Sequence, residues 1–148
     1  MRKALFAGSF NPFTVGHADI VKRGLELFDE VVIAIGENQD KPSADIQERL
    51  QAIRDIYIDE PRVRVEVYHS LTVDFAREIG ACALLRGVRT AQDFEYERQM
   101  ADANRALAGI ETVVLFSLPE LGFVSSSLVR DLKKHGADTS ALQAKPLH

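Results

Sequence analysis

Short, unbroken apolar runs alternate with longer stretches of helical period along the chain, and this alternation constrains the fold more than any other feature. Candidate strands cover residues 3–7, 31–35, 63–67, 83–85 and 112–116. They are rich in Val, Ile and Leu, as strands buried on both faces are. Helical patterns fall between them at about 18–28, 46–57, 73–79 and 92–107, with a last one at 127–135 ended by Gly136. Strands that alternate with helices predict an α/β fold, a doubly wound five-stranded parallel sheet. In such folds ligands bind beyond the carboxyl ends of the strands. Ser9, Lys41, Thr72, the trio Arg86, Gly87 and Arg89, and Ser125 to Ser127 follow the five strands in turn, so all are expected on one rim.

The chain has 148 residues and is read as one domain over 1–148, with a weakly patterned tail from about 137. A net charge of −4 argues against a nucleic-acid or membrane-surface partner, so any anion site must be built locally from a few arginines and lysines. The single Cys82 lies in an apolar stretch and is expected to be a buried thiol in a reducing cytoplasm. No segment has the apolar length of a membrane span or of a signal-peptide core.

The first strand runs into GSFNPFTVGH, residues 8–17. Gly8 and Ser9 turn the backbone, Pro12 fixes the loop, and a helix opens near Gly16 and His17. Helix amides and an imidazole then face one spot above a strand end, which suits a phosphate. The helix dipole disfavours protonation of His17 and leaves a neutral ring that donates one hydrogen bond. A histidine in a first turn also serves as a solvated or capping residue.

RGVR at 86–89 sets two guanidinium groups around a glycine, a match for phosphate oxygens. Equally, both arginines can pair with Asp93, Glu95 or Glu97. The helix DFEYERQMADANR, 93–105, opens on acidic residues, and Phe94, Met100 and Leu107 are expected to face the core. SSSLVR, 125–130, reads as a helix start where one serine is an N-cap and the hydroxyl run is also an anion cradle, with Arg130 adding charge. GxxxxGK[ST] and GxGxxG are absent, which argues against a P-loop ATPase and a dinucleotide-dependent dehydrogenase. His69 and His135 lack metal-ligand spacing with Cys82, and Ser9 lacks a hydrolase elbow, so no metal ligands are assigned.

These motifs resemble those of the nucleotidylyltransferase superfamily: GSFNPFTVGH stands for its first signature and VSSSLVR for its last. The middle motif RGVRTAQDFEYE is similar to that of phosphopantetheine adenylyltransferases, and the resemblance runs from about 3 to 134. It implies a Rossmann-like nucleotidyltransferase fold and transfer of AMP from ATP to 4′-phosphopantetheine, giving dephospho-coenzyme A and pyrophosphate. It implies His17 as the catalytic residue and Ser9, Lys41, Thr72 and Arg86 as substrate contacts. It also implies ATP contacts from Ser9, Phe10, His17, Gly87, Val88, Arg89, Glu97, Leu121, Gly122, Phe123, Val124, Ser125, Ser126 and Ser127. Mg²⁺ with the ATP, a homohexamer and a cytoplasmic enzyme complete the implied set.

Ser9 stands where threonine is commoner and Asn11 where aspartate is, and the segment GENQDKPSAD around Lys41 matches poorly. The rival enzyme is a nicotinamide or nicotinate mononucleotide adenylyltransferase, which shares the outer motifs. A rival of another class is a non-catalytic nucleotide sensor, which the intact His17 and serine run disfavour.

Overall fold

The computed structural model describes residues 1–146. In chain order the elements are β1 (Lys3–Gly8), α1 (Val15–Leu27), β2 (Glu30–Gly36), α2 (Ile46–Ile56), β3 (Val63–Tyr68), α3 (Thr72–Ile79), β4 (Ala83–Val88), α4 (Ala91–Ala108), β5 (Glu111–Phe116) and α5 (Ser126–Lys134). The strands form one parallel sheet in the order β3-β2-β1-β4-β5, as expected of the doubly wound class. From β1 the chain builds outward to β3, then returns to β4 on the other side. The strand order therefore reverses between β1 and β4, and a crevice opens there at the carboxyl ends.

Alternate residues on each strand feed two cores. Phe6, Ile33 and Leu85 pack with Ile20 and Val21 of α1 and Ile53 of α2. Leu5, Val32 and Leu84 face the other way and pack with Ala76 and Phe75 of α3. The first cluster is much the larger. The thinner cover of the second face leaves room for a cavity beneath α4.

Four expectations are corrected. β4 runs on to Val88, so Arg86 and Gly87 lie in the strand rather than after it. An apolar-run reading stops at a charge, but this guanidinium is satisfied in place. Thr72 is the first residue of α3, not a loop residue. Cys82 is exposed, because it sits one residue ahead of β4 at the sheet's amino edge. Phe94, Met100 and Leu107 do not face the core: they are 40%, 40% and 82% exposed. The buried residue of α4 is instead Glu97. Gly136 has φ 83° past the last helix, as its place after the helical pattern predicted. The tail was expected to carry little order. It makes a short 3-10 turn at Ser140–Leu142 and bridges back to Thr14, while residues 147–148 lie outside the described residues.

Candidate active site

The loop after β1 turns at Phe10, the one described non-glycine residue with positive φ, 47°, and not at Gly8 or Ser9. Phe10 and Phe13 both pack inward. They and Phe6 surround His17, with ring centroids 5.0, 5.3 and 6.1 Å from the imidazole. Thr14 caps α1: its hydroxyl accepts from the His17 N–H at 3.3 Å, and its own N–H donates to His17 Nδ1 at 3.0 Å. That reciprocal cap needs Nδ1 unprotonated, so the neutral ring carries its proton on Nε2. Burial among the phenyl rings, then the charges of Arg86 and Arg89, push the His17 pKa down to about 4. The capping and functional readings of His17 are thus compatible: one nitrogen caps the helix and the other remains a donor.

Two cavities meet over the β1–β4 crevice. The first, about 390 Å³, is lined by Ser9, Phe10, His17, Gly87 to Arg89, Val124 to Ser127 and Arg130, among others. Its lining holds three arginines, Arg86, Arg89 and Arg130, and no carboxylate. Arg86 and Arg89 each pair with a carboxylate outside that lining, so the cavity presents guanidinium donors whose charge is partly compensated from behind. The second, about 380 Å³, lies under α4 against the thin face of the sheet, between Leu5, Leu84, Tyr68, Thr72, Tyr96 and Met100. Ala7, Gly8 and Arg86 line both.

Arg86 is held rigidly at this junction. Nε and Nη2 donate to the Glu97 carboxylate at 2.9 and 2.8 Å, and Nη1 donates to the Ala7 carbonyl. Unspent N–H donors remain on the guanidinium fork. Of the pairings that the charge pattern left open, Arg86 takes Glu97 and Arg89 takes Asp93, at 3.5 Å. Gly87 serves packing: a Cβ there would meet Ile20 Cγ1 at 2.9 Å, so the missing side chain lets α1 lie on β4. Ser125 is the N-cap of α5, accepting from the Leu128 N–H at 3.1 Å, and Ser126 Oγ donates to the Pro12 carbonyl at 2.7 Å.

The structure does not bring every predicted residue to the first cavity. Glu97 and Thr72 line the second. Leu121, Gly122 and Phe123, in and after a 3-10 turn at Pro119–Leu121, line neither, and Phe123 is 62% exposed. Lys41 sits on the exposed loop after β2, also outside both.

The chain matches the cytidylyltransferase-like family over residues 5–132. It is 52% identical over 141 residues to the phosphopantetheine adenylyltransferase of Bacteroides fragilis, covering 95% of this chain and 94% of that one. The Porphyromonas gingivalis phosphopantetheine adenylyltransferase is 54% identical over 138 residues, covering 93% and 90%. The chain belongs to the phosphopantetheine adenylyltransferase family. Among solved structures, the fold is similar to a bifunctional NMN adenylyltransferase/ADP ribose pyrophosphatase from Francisella tularensis, complexed with AMP and a manganese ion. That match has a TM-score of 0.69 at 16% identity, over 97% of this chain and 44% of that one.

Two features of this adenylyltransferase fold escaped the sequence reading. One is Arg49, whose Nη1 donates to the Ser9 carbonyl at 2.7 Å from forty residues away. Its only signal was one of two arginines, Arg49 and Arg54, on an amphipathic helix. The other is Thr14 as the cap of α1; the threonine ahead of the helix pattern was a usable N-cap signal.

Proposed function

We propose that the chain transfers the adenylyl group of MgATP to 4′-phosphopantetheine, releasing pyrophosphate and dephospho-coenzyme A. The observation that carries this reading, beside family membership, is the pair of cavities joined at Gly8 and Arg86. The first is cationic and lined by hydroxyls, which suits the nucleotide. The second is mostly apolar, with Thr72 and Asn104 as polar partners. It suits a flexible amide-containing arm whose phosphate reaches the junction.

In this reading Ser9, Phe10, His17, Gly87 to Arg89 and the segment Leu121–Ser127 attend the nucleotide. Arg86 holds the acceptor phosphate and Glu97 holds Arg86. Thr72 meets the pantetheine arm, and Lys41 adds charge from its loop. A phosphate oxygen of the acceptor attacks the α-phosphorus of ATP, and the bond from that phosphorus to the bridging oxygen breaks. The acceptor is already an anion, so no general base is needed. The protein's task is positioning and charge stabilisation. His17 Nε2–H is a preorganised donor for the transferring phosphoryl group, and the ring stays neutral and keeps that proton at neutral pH.

Mg²⁺ enters as part of the nucleotide substrate. The hydroxyls of the first cavity fit a metal that brings phosphate oxygens as its own ligands. No group of three or more His, Cys, Asp or Glu poised for a metal occurs among the described residues. The Francisella structure of similar fold, complexed with AMP and a manganese ion, supports divalent metal use.

A homohexamer belongs to the same reading. Tyr96 and Leu107 of α4 and Phe116 at the end of edge strand β5 are 59%, 82% and 67% exposed, and apolar surface of this kind supports contact between copies. A cytoplasmic setting is proposed with it. Among the described residues no helix is long and apolar enough to cross a membrane.

The test is to incubate the chain with MgATP and each of four acceptors: 4′-phosphopantetheine, pantetheine, nicotinamide mononucleotide and nicotinate mononucleotide. Pyrophosphate is followed and the product weighed. Dephospho-coenzyme A from the first alone is the expected result. Pyrophosphate from either mononucleotide with none from phosphopantetheine overturns the acceptor assignment.

A further inference from the structure

The backbone between β1 and α1 is gripped from outside at four carbonyls. Arg49 of α2 holds that of Ser9 at 2.7 Å, Arg130 of α5 that of Asn11 at 2.6 Å, and Ser126 that of Pro12 at 2.7 Å. The fourth grip comes from the end of the chain. The Ala144 N–H donates to the Phe13 carbonyl at 3.2 Å, and Gln143 pairs with Thr14 as an antiparallel bridge.

This end segment is itself anchored. Thr139 is buried, its hydroxyl donates to Gln143 Oε1 at 3.0 Å, and its carbonyl accepts from the Leu142 N–H at 2.9 Å. Ala144 packs against the larger core. The segment is thus a strap laid across the loop.

What the strap grips is one peptide unit from His17. The Phe13 carbonyl and the Thr14 N–H belong to the same planar peptide, and in a trans peptide they point to opposite sides. Ala144 holds the carbonyl side, and His17 Nδ1 accepts from the N–H side at 3.0 Å. The strap therefore fixes the plane that dictates which imidazole nitrogen is unprotonated.

We propose that the strap, residues 139–144, is a positioning element of the active site that holds the Phe13–Thr14 peptide and through it the tautomer and aim of His17. The proposal rests on the reading of His17 as a donor in adenylyl transfer. The strap touches neither cavity except through this peptide.

The decisive variant is Ala144→Pro. It deletes the one N–H that grips Phe13, and Gln143 before it already has φ −96° and ψ 142°, the region a residue preceding proline favours. Ala144→Gly keeps the N–H and loses only the methyl. A chain ending at Ala137 removes the whole strap. Each is compared with the full chain by ¹⁵N spectra of the histidine ring across pH and by steady-state kinetics.

In the full chain the His17 ring should show a protonated Nε2 and an unprotonated Nδ1. In Ala144→Pro and in the shortened chain the two nitrogens should average and the ring should titrate closer to an ordinary histidine. Turnover should fall about tenfold with the KM for MgATP changed less than about threefold, the pattern of a misaimed group. Ala144→Gly should keep the parent ring signals. Unchanged His17 signals in Ala144→Pro overturn the proposal, and this variant decides alone if the shortened chain does not fold. A ring that shifts in Ala144→Pro while His17→Ala retains full turnover would instead leave the strap standing and overturn the role of His17.

Discussion

The two cavities on either side of Arg86 differ in how their walls are written along the chain. The first is built from three compact runs, 8–17, 86–89 and 124–130. The first run joins the end of β1 to the start of α1, the second is the end of β4 and the third the start of α5, so their residue types carry local meaning: turn, cap, anion donor. The second is built from scattered side chains of six elements, Leu5, Tyr68, Thr72, Leu84, Met100 and Thr112 among them. None means anything alone. A site made of helix starts exposes its backbone donors and its chemistry together, whereas a site made of side chains over a sheet face looks like core until the helix above it is placed.

The largest expected effect belongs to the first cavity. His17→Ala should lower turnover about a hundredfold or more, the usual cost of one preorganised donor to a developing anion, with MgATP affinity little changed. Pre-steady-state kinetics separating binding from chemistry checks this, and near-normal turnover would remove His17 from the mechanism.

The junction comes next. Arg86→Lys loses the planar fork that grips Glu97 at two points, so the exchange is far from conservative. Affinity for phosphopantetheine should fall about tenfold, with less loss for MgATP. Equal losses by calorimetry would give Arg86 a shared or purely structural role.

Acid should reveal the His17 environment without any substrate. The folded ring ionises at about 4, while an unfolded chain's histidine ionises at its ordinary value of 6.5. Between those values the unfolded state binds more protons, so stability is lost as pH falls through that window. Urea midpoints should show this loss in the parent chain and a smaller one in His17→Ala. Parallel profiles would contradict the buried, neutral ring.

The smallest effect should come from Lys41→Ala. On an exposed loop outside both cavities, this lysine is expected to change only the KM for phosphopantetheine, and by less than Arg86→Lys does.

The sequence periodicity carried the sheet, its parallel sense and the rim, because buried parallel strands are apolar without interruption. It failed where burial and polarity part company. Arg86 sits in a strand and Glu97 is the buried residue of α4, since each neutralises the other. Met100 and Leu107 share the face of Glu97 but line the open second cavity instead of packed core, so they keep their exposure. GSFNPFTVGH announced His17, and its threonine was a usable cap signal, but the grips of Arg49 and the tail were hidden because those contacts join residues far apart in the chain. Leu121–Phe123 were named by resemblance alone and Lys41 by resemblance and its place after the second strand, and the folded chain leaves these residues outside both cavities.

Calorimetry on Ala101→Trp tests most directly the assignment of one substrate to each cavity. Ala101 lines only the second cavity, and an indole there fills it. Binding of 4′-phosphopantetheine should weaken at least about tenfold, while a non-hydrolysable MgATP analogue should bind within about twofold of the parent, which also certifies the fold. Equal weakening of both ligands, or undiminished phosphopantetheine binding, would contradict the two-cavity account.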